Sequence, residues 1–156
     1  GAPRRAESLG IEVVYALGKL GGVDVAVYGE YEIGLNGPDA IEAKLILQHR
    51  NDPVDLRLNL IGEKALVAGA PVELSYALSA DVAMAGDLRL GVQAFGELGT
   101  FNRPLPRASH FAGPVARIGI AGLGPELEIE AGYLFALGAA RDDTRGQLRI
   151  GLGLEF

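Results

Sequence analysis

The sequence has no cysteine and no tryptophan, and basic residues are fewer than acidic ones. Without cysteine, disulfides and thiolate metal sites are excluded. The excess of 20 Asp and Glu over 14 Lys and Arg gives a formal net charge of −6, which argues against nucleic acid as a partner. No apolar run approaches the roughly 18 residues that a spanning helix requires. If this chain enters a membrane, it must do so with strands.

Alternation of apolar and polar residues with a period of two is the dominant pattern, and no stretch has a helical period. The 156 residues fit one domain, 1–156, with 1–10 as an N-terminal extension that lacks the apolar segment of a signal peptide. Tight turns are expected from the 23 Gly and 8 Pro. The alternation predicts nine strands, at approximately 11–18, 23–33, 41–50, 54–62, 72–84, 87–98, 113–121, 127–137 and 147–156.

Each predicted strand has one apolar face and one polar face. The apolar face points inward in a soluble barrel and outward in a transmembrane barrel, so the alternation alone leaves both open. Burying many unpaired charges in a dry core would cost several kcal/mol apiece, so a charged interior must hold water or pair its charges. An ion-paired plug and a narrow charged conduit both satisfy that condition, and the plug is the simpler. The charged rows expected to face the lumen are Glu30, Glu42, Lys44, Arg50, Arg57, Glu73, Arg89, Arg117, Glu128, Glu130 and Arg149.

Long and short connections alternate along the chain. The longer ones are 34–40, 62–71, 99–112 and 138–146, and the shorter ones are 18–22, 51–53, 85–86 and 122–125. Outer-membrane barrels have this order, with short turns on the periplasmic side and longer loops outside. Such barrels have an even number of strands. We therefore expect about ten strands, nine of them visible here and one further strand upstream. The alternatives are that a strand is miscounted or that the barrel is not a membrane barrel.

The last strand, LRIGLGLEF (148–156), alternates large apolar residues and ends on Phe156. It resembles the C-terminal signal of Gram-negative outer-membrane β-barrel proteins, and residues 113–156 are similar to the closing hairpins of small, poorly characterised barrels of that class. The resemblance implies an all-β, antiparallel, up-and-down transmembrane barrel in the lipid of the outer membrane. It also implies insertion by the barrel-assembly machinery, with Leu152, Leu154 and Phe156 as the assembly signal. A sparse aromatic girdle would come from Tyr15, Tyr31, Tyr76, Tyr133, Phe135 and Phe156.

Residues 101–111, FNRPLPRASHF, are the only stretch that combines basic residues, prolines and aromatics. Arg103, Arg107 and His110 are therefore the candidates for ligand contact in a loop at the barrel mouth. His49 is predicted near a short turn and His110 in a long loop, so the two histidines do not share a site. The motifs of hydrolases, phosphate loops and zinc proteases are missing, so the sequence predicts a protein that is not an enzyme, with no catalytic residue, metal or cofactor.

Asp142 and Asp143 lie in the last long loop between two arginines. With Thr144 they could hold a divalent cation, or Arg141 and Arg145 could contact lipopolysaccharide phosphates. A solvated loop tip is the simpler interpretation.

A passive role in the outer membrane agrees best with these patterns. The chain is expected to be a narrow pore for small solutes or a structural envelope protein with a charged lumen. The alternative from another class is a soluble or periplasmic barrel that encloses a small apolar ligand.

Overall fold

The computed structural model describes residues 8–105, 108–120 and 126–155, which form one antiparallel sheet. A short 3-10 helix, Ala139–Asp142, follows β9. Within the described ranges, no helix is long and apolar enough to span a membrane. The strands are β1 (Ser8–Leu20), β2 (Val23–Gly34), β3 (Ala40–Asn51), β4 (Val54–Ala65), β5 (Glu73–Ala83), β6 (Leu88–Thr100), β7 (Arg103–Pro104), β8 (Ser109–Ile120), β9 (Glu126–Gly138) and β10 (Gly146–Glu155).

The nine predicted strands are confirmed as the nine long strands of the sheet, and each pairs with its neighbours along the chain. β7 is an added two-residue strand that pairs only with the end of β6. Three predicted boundaries are wrong by three residues or more. β4 ends at Ala65 and not at residue 62. β1 begins at Ser8, so residues 8–10 belong to the sheet and not to an extension. β8 begins at Ser109, four residues earlier than predicted, because Gly113 and Pro114 interrupt its alternation.

Pro114 shows why the start of β8 was missed. Proline has no N–H to donate to the ladder, so it normally marks an edge or an irregularity. Here β8 pairs with β9 through Ala112 and again through Val115, and the register of this pair omits Gly113 and Pro114. On the other side both residues keep their register partners in β6.

The connections alternate between the two ends of the strands, as predicted. Gly21 and Gly22 form the turn after β1 with φ angles of 58° and 85°, the positive values that a two-residue hairpin turn requires. Residues 52–53 and 84–87 make the next turns at that end, which we call the short-turn edge. The connections 35–39, 66–72 and 139–145 lie at the opposite, long-loop edge.

The apolar face of the sheet is the exposed one. In the edge strands Ile11 and Leu152 are 75% and 74% exposed, and in the middle strands Leu78 and Ile118 are still 40% and 44% exposed. The opposite face carries the charges, yet Asp81 on it is only 6% exposed. Asp81 is therefore more buried than these large apolar side chains of the opposite face, which reverses the usual order.

β1 and β10 are the two outermost strands of the sheet. Their described residues do not pair with one another, so the sheet is open rather than closed into the predicted barrel. Because the nine long strands alternate in direction, β1 and β10 run the same way.

Candidate functional site

The polar face of β8, β9 and β10 is held together by ion pairs centred on Glu130. Arg117 and Glu130 are register partners, and Arg117 Nη2 lies 2.9 Å from Glu130 Oε2. Arg149 Nε donates to the other carboxylate oxygen at 2.8 Å. Glu130 therefore binds two guanidinium groups, one from each neighbouring strand.

Asp81 extends this network to β5. Its carboxylate accepts from Arg89 and also pairs with Arg117, whose Nη1 lies 3.3 Å from Oδ2. The contact with Arg117 crosses β6, and the β6 residue opposite Asp81 is Gly91. Because glycine has no side chain, it leaves room for the carboxylate and the guanidinium to meet above the strand.

Gln93 makes a second contact across a strand. Its Nε2 donates to Glu130 Oε2 at 2.9 Å, over β8. Gln93 is 8% exposed, so its amide is satisfied inside the network and not by solvent. We call Asp81, Arg89, Gln93, Arg117, Glu130 and Arg149 the paired network.

A cavity of about 190 Å³ lies beside the paired network. Arg57 on β4 and Arg149 on β10 both line it, although five strand spacings separate these strands in the sheet. In a flat sheet they would be roughly 24 Å apart, since neighbouring strands are about 4.8 Å apart. The sheet therefore curves strongly around its polar face. The cavity is lined by residues of β4, β5, β6, β8, β9 and β10.

A smaller ion-paired group lies near the short-turn edge of β3 and β4. Arg50 Nε donates to Asp55 at 3.0 Å, and Gln48 Nε2 contacts both oxygens of the same carboxylate at 3.0 Å. Arg57 in turn donates to Gln48 Oε1 at 3.1 Å. Charges in this part of the polar face are thus largely compensated.

The polar face of β1 to β5 carries a row of like charges near the long-loop edge. Successive register partners in this row are all glutamates, which we call the acidic row: Glu12, Glu30, Glu42, Glu63 and Glu73. Lys44 Nζ compensates one of them at 2.7 Å from Glu42 Oε1. Tyr28 Oη lies 2.7 Å from Glu12 Oε2 and 2.6 Å from Glu30 Oε2, so its single hydroxyl proton can be donated to either carboxylate. In the described part of the chain no group of three or more His, Cys, Asp or Glu has the geometry of a metal site.

The acidic row could not be found by alternation, which assigns residues to a face but does not align the strands. Glu30, Glu42 and Glu73 were predicted on the polar face, and the structure places them there in one row. Glu12 and Glu63 join them only because the hairpin turns set the register. The positions of the predicted turns could have revealed the row, because counting residues outward from each turn aligns the glutamates of neighbouring strands.

The prediction that His110 lies in a long loop is wrong. His110 is in β8, on the apolar face beside Tyr76, with ring centroids 5.9 Å apart. Ser109 precedes it in the same strand, so the two side chains point to opposite faces and do not form a dyad. His49 is near the short-turn edge, where its Nδ1 lies 2.9 Å from the Gly22 carbonyl oxygen.

The remaining predicted residues are at the long-loop edge or in the last strand. Arg103 is exposed in β7, and Asp142 ends the 3-10 helix that Asp143 follows. Leu152 is on the exposed apolar face of β10, and Leu154 pairs through its backbone with Leu127. Arg107 and Phe156 lie outside the described residues, and their roles stay predictions.

Comparisons with protein families, curated protein sequences and solved structures found no match to this chain. The geometry and charge of the two faces are therefore the basis for assigning a function.

Proposed function

We propose that the chain is a transmembrane β-barrel of the Gram-negative outer membrane, with a narrow, charged lumen that admits water and small ions. The observation that carries this proposal is the reversed burial of the two faces. Large apolar side chains such as Leu152 are 74% exposed, while Asp81 on the charged face is 6% exposed. Lipid is the solvent that favours an apolar outer surface over a charged one.

Curvature supports closure of the sheet around the charged face. Arg57 and Arg149 already line one cavity from strands five positions apart. β1 and β10 run in the same direction, so direct pairing of the two would be parallel. One further strand of opposite direction between them would give an even-stranded, fully antiparallel barrel, which is the rule for bacterial outer-membrane proteins. Closure also removes the two unpaired edges, which lipid cannot hydrate.

The proposed lumen is narrow because the paired network occupies much of it. The remaining cavity of about 190 Å³ is smaller than the roughly 300 Å³ at which small-molecule pockets begin. Glu130 fixes two arginines there, so charged side chains rather than open water fill this section. The acidic row lies toward the long-loop edge and would attract cations to that entrance.

A soluble barrel with an apolar ligand inside is less well supported. It would need the face of Leu78 and Ile118 on the inside, but these side chains are exposed on the convex side of the sheet. It would also need the paired network to face bulk water, where ion pairs contribute little.

Arginine placed on the two faces of β10 tests the proposal. Leu152→Arg puts a charge on the apolar face, and Gly153→Arg puts the same charge on the polar face beside Glu128, where a new Cβ has ordinary contact distances. If the apolar face contacts lipid, Leu152→Arg should cost about 2–4 kcal/mol of insertion free energy near mid-membrane. Gly153→Arg should insert as the parent does.

The measurement is co-flotation of refolded protein with liposomes in the absence of detergent, followed by protease digestion of the floated fraction. We expect the parent and Gly153→Arg to float in a protease-resistant form and Leu152→Arg to float poorly. A parent protein that stays soluble and monomeric in plain buffer, or two arginine variants that float equally well, would overturn the membrane assignment.

A further inference from the structure

The outer surface beside the connection between β9 and β10 has a groove of about 560 Å³. Its floor is apolar and includes Ala112, Phe135 and Leu137, and its rim includes Arg141 and Arg145. Phe135 is 53% exposed, and its register partner on β10 is Gly146, which has no side chain to cover the ring. The groove is therefore open toward the surroundings of the sheet.

The two arginines are positioned for an anion outside the protein. Arg141 Nε donates to the Ala136 carbonyl at 3.1 Å, which fixes the stem of the guanidinium and leaves its terminal nitrogens for another acceptor. The backbone carbonyl of Arg145 accepts from Ala136 N at 3.0 Å, and Arg145 is exposed where it lines the groove. Asp142 and Asp143, although adjacent in sequence, are not among the residues that line the groove.

We propose that this groove binds a phosphorylated membrane lipid, with acyl chains over Phe135 and Leu137 and the phosphate between Arg141 and Arg145. Guanidinium groups match phosphate in charge and in geometry, and the apolar floor is suited to hydrocarbon. The groove is at the long-loop edge, where the apolar face ends and lipid headgroups would begin. This inference rests on the proposed membrane insertion.

A second groove on the same face offers an internal comparison. It has about 430 Å³ and a mostly apolar lining that includes Leu74 and Phe101. Lys64 is the one basic residue among the described residues that line it, and Glu42 and Glu63 line it as well. It should accept acyl chains with much less selection for a phosphorylated headgroup. The two grooves therefore separate hydrocarbon contact from recognition of phosphate.

Quenching of tryptophan fluorescence by brominated lipids can measure which lipid lies in each groove. The chain has no tryptophan of its own, so a single introduced tryptophan is the only reporter. Phe135→Trp places a single reporter in the proposed site, and Phe101→Trp places one in the comparison groove. Each variant is inserted into phosphatidylcholine vesicles that contain either brominated phosphatidic acid or brominated phosphatidylcholine. We expect phosphatidic acid to be preferred about tenfold in the Phe135→Trp variant, as expected for two basic residues at an anionic headgroup, and about twofold or less in the Phe101→Trp variant.

Removing the basic rim should abolish the preference without preventing insertion. In the Phe135→Trp background, Arg141→Gln with Arg145→Gln should lower the preference to about twofold or less. Arg141→Lys with Arg145→Lys should retain part of the preference, since the charges stay. Quenching by brominated phosphatidylcholine in every variant shows that the protein has inserted and that the reporter in the proposed site still contacts lipid.

Each alternative result has a separate meaning. Equal quenching of the Phe135→Trp reporter by the two lipids would overturn the lipid site and leave membrane insertion intact, whereas no quenching by either lipid would overturn insertion itself. Loss of the preference in excess inorganic phosphate would assign the arginines to a free anion and would also overturn the lipid site.

Discussion

The polar face of the sheet has two halves that use the same residue types in opposite ways. In β5 to β10 the carboxylates of Asp81 and Glu130 each contact two arginines. In β1 to β5 the successive partners of the acidic row are all glutamates. Lys44 neutralises Glu42 there, and the Tyr28 hydroxyl lies within hydrogen-bond distance of Glu12.

The difference shows that the acidic row, unlike the paired network and the group around Asp55, is not arranged for the stability of the sheet. The paired network satisfies its charges and fills space, as a structural interior must. Like charges directly opposite each other on neighbouring strands destabilise a sheet. The acidic row is therefore better explained by attraction of cations to one end of the proposed lumen than by support of the fold.

Glu130→Gln should have the largest effect on stability, because it leaves the partly buried Arg117 and the half-exposed Arg149 without their shared carboxylate. We expect the free energy of unfolding to fall by about 3 kcal/mol, as for other broken buried pairs. Urea titration of the refolded protein in lipid vesicles measures this change.

Glu128→Gln is the matched control. Its carboxylate is half-exposed and 3.6 Å from Arg117 Nε, so its loss should cost less than about 1 kcal/mol. Equal losses for the two variants would show that the network has no special role.

Two amide side chains inside the polar face, Gln93 and Asn59, should contribute unequally to the free energy of unfolding. This difference again separates the two halves. Gln93→Ala removes the hydrogen bond to Glu130 and should lower the free energy of unfolding by about 2 kcal/mol, the usual contribution of a bond to a charged group. Asn59→Ala should change it by less than about 0.5 kcal/mol, because Asn59 Oδ1 is buried without a hydrogen-bond partner. The same titration applies, and a larger loss for Asn59→Ala would contradict the assignment of the two amides.

Glu63→Gln should have a small effect of the opposite sign. It removes one charge from between Glu42 and Glu73, so we expect the free energy of unfolding to rise by about 0.5 kcal/mol at low salt. The gain should disappear near 1 M salt, where the Debye length is about 3 Å. Lys44→Gln is the control, since it removes the cation paired with Glu42 and should lower stability under the same low-salt conditions. A loss of stability in Glu63→Gln would contradict the expected repulsion between Glu63 and its neighbouring glutamates.

Much of the fold could be predicted because alternation with a period of two is a local signal. The positions of Leu148 and Arg149 on opposite faces follow from it directly, as do the strands themselves. The start of β8 could not be predicted, since Pro114 keeps its pairing on one side only. The acidic row depends on the register that the turns set. The Asp81–Arg117 contact depends on the space that Gly91 leaves above β6, which neither residue's own preference predicts.

The chain order of the sheet has a consequence for how it forms. Every long strand pairs with the next one along the chain, so each hairpin closes only a short loop before the following one is added. The entropy lost in closing a loop grows with its length, and short loops therefore form first. The sheet can grow one hairpin at a time from any starting point. In the proposed barrel, the meeting of the two ends would be the one step that spans the whole chain, and we expect the step that joins them to be the slowest step of assembly.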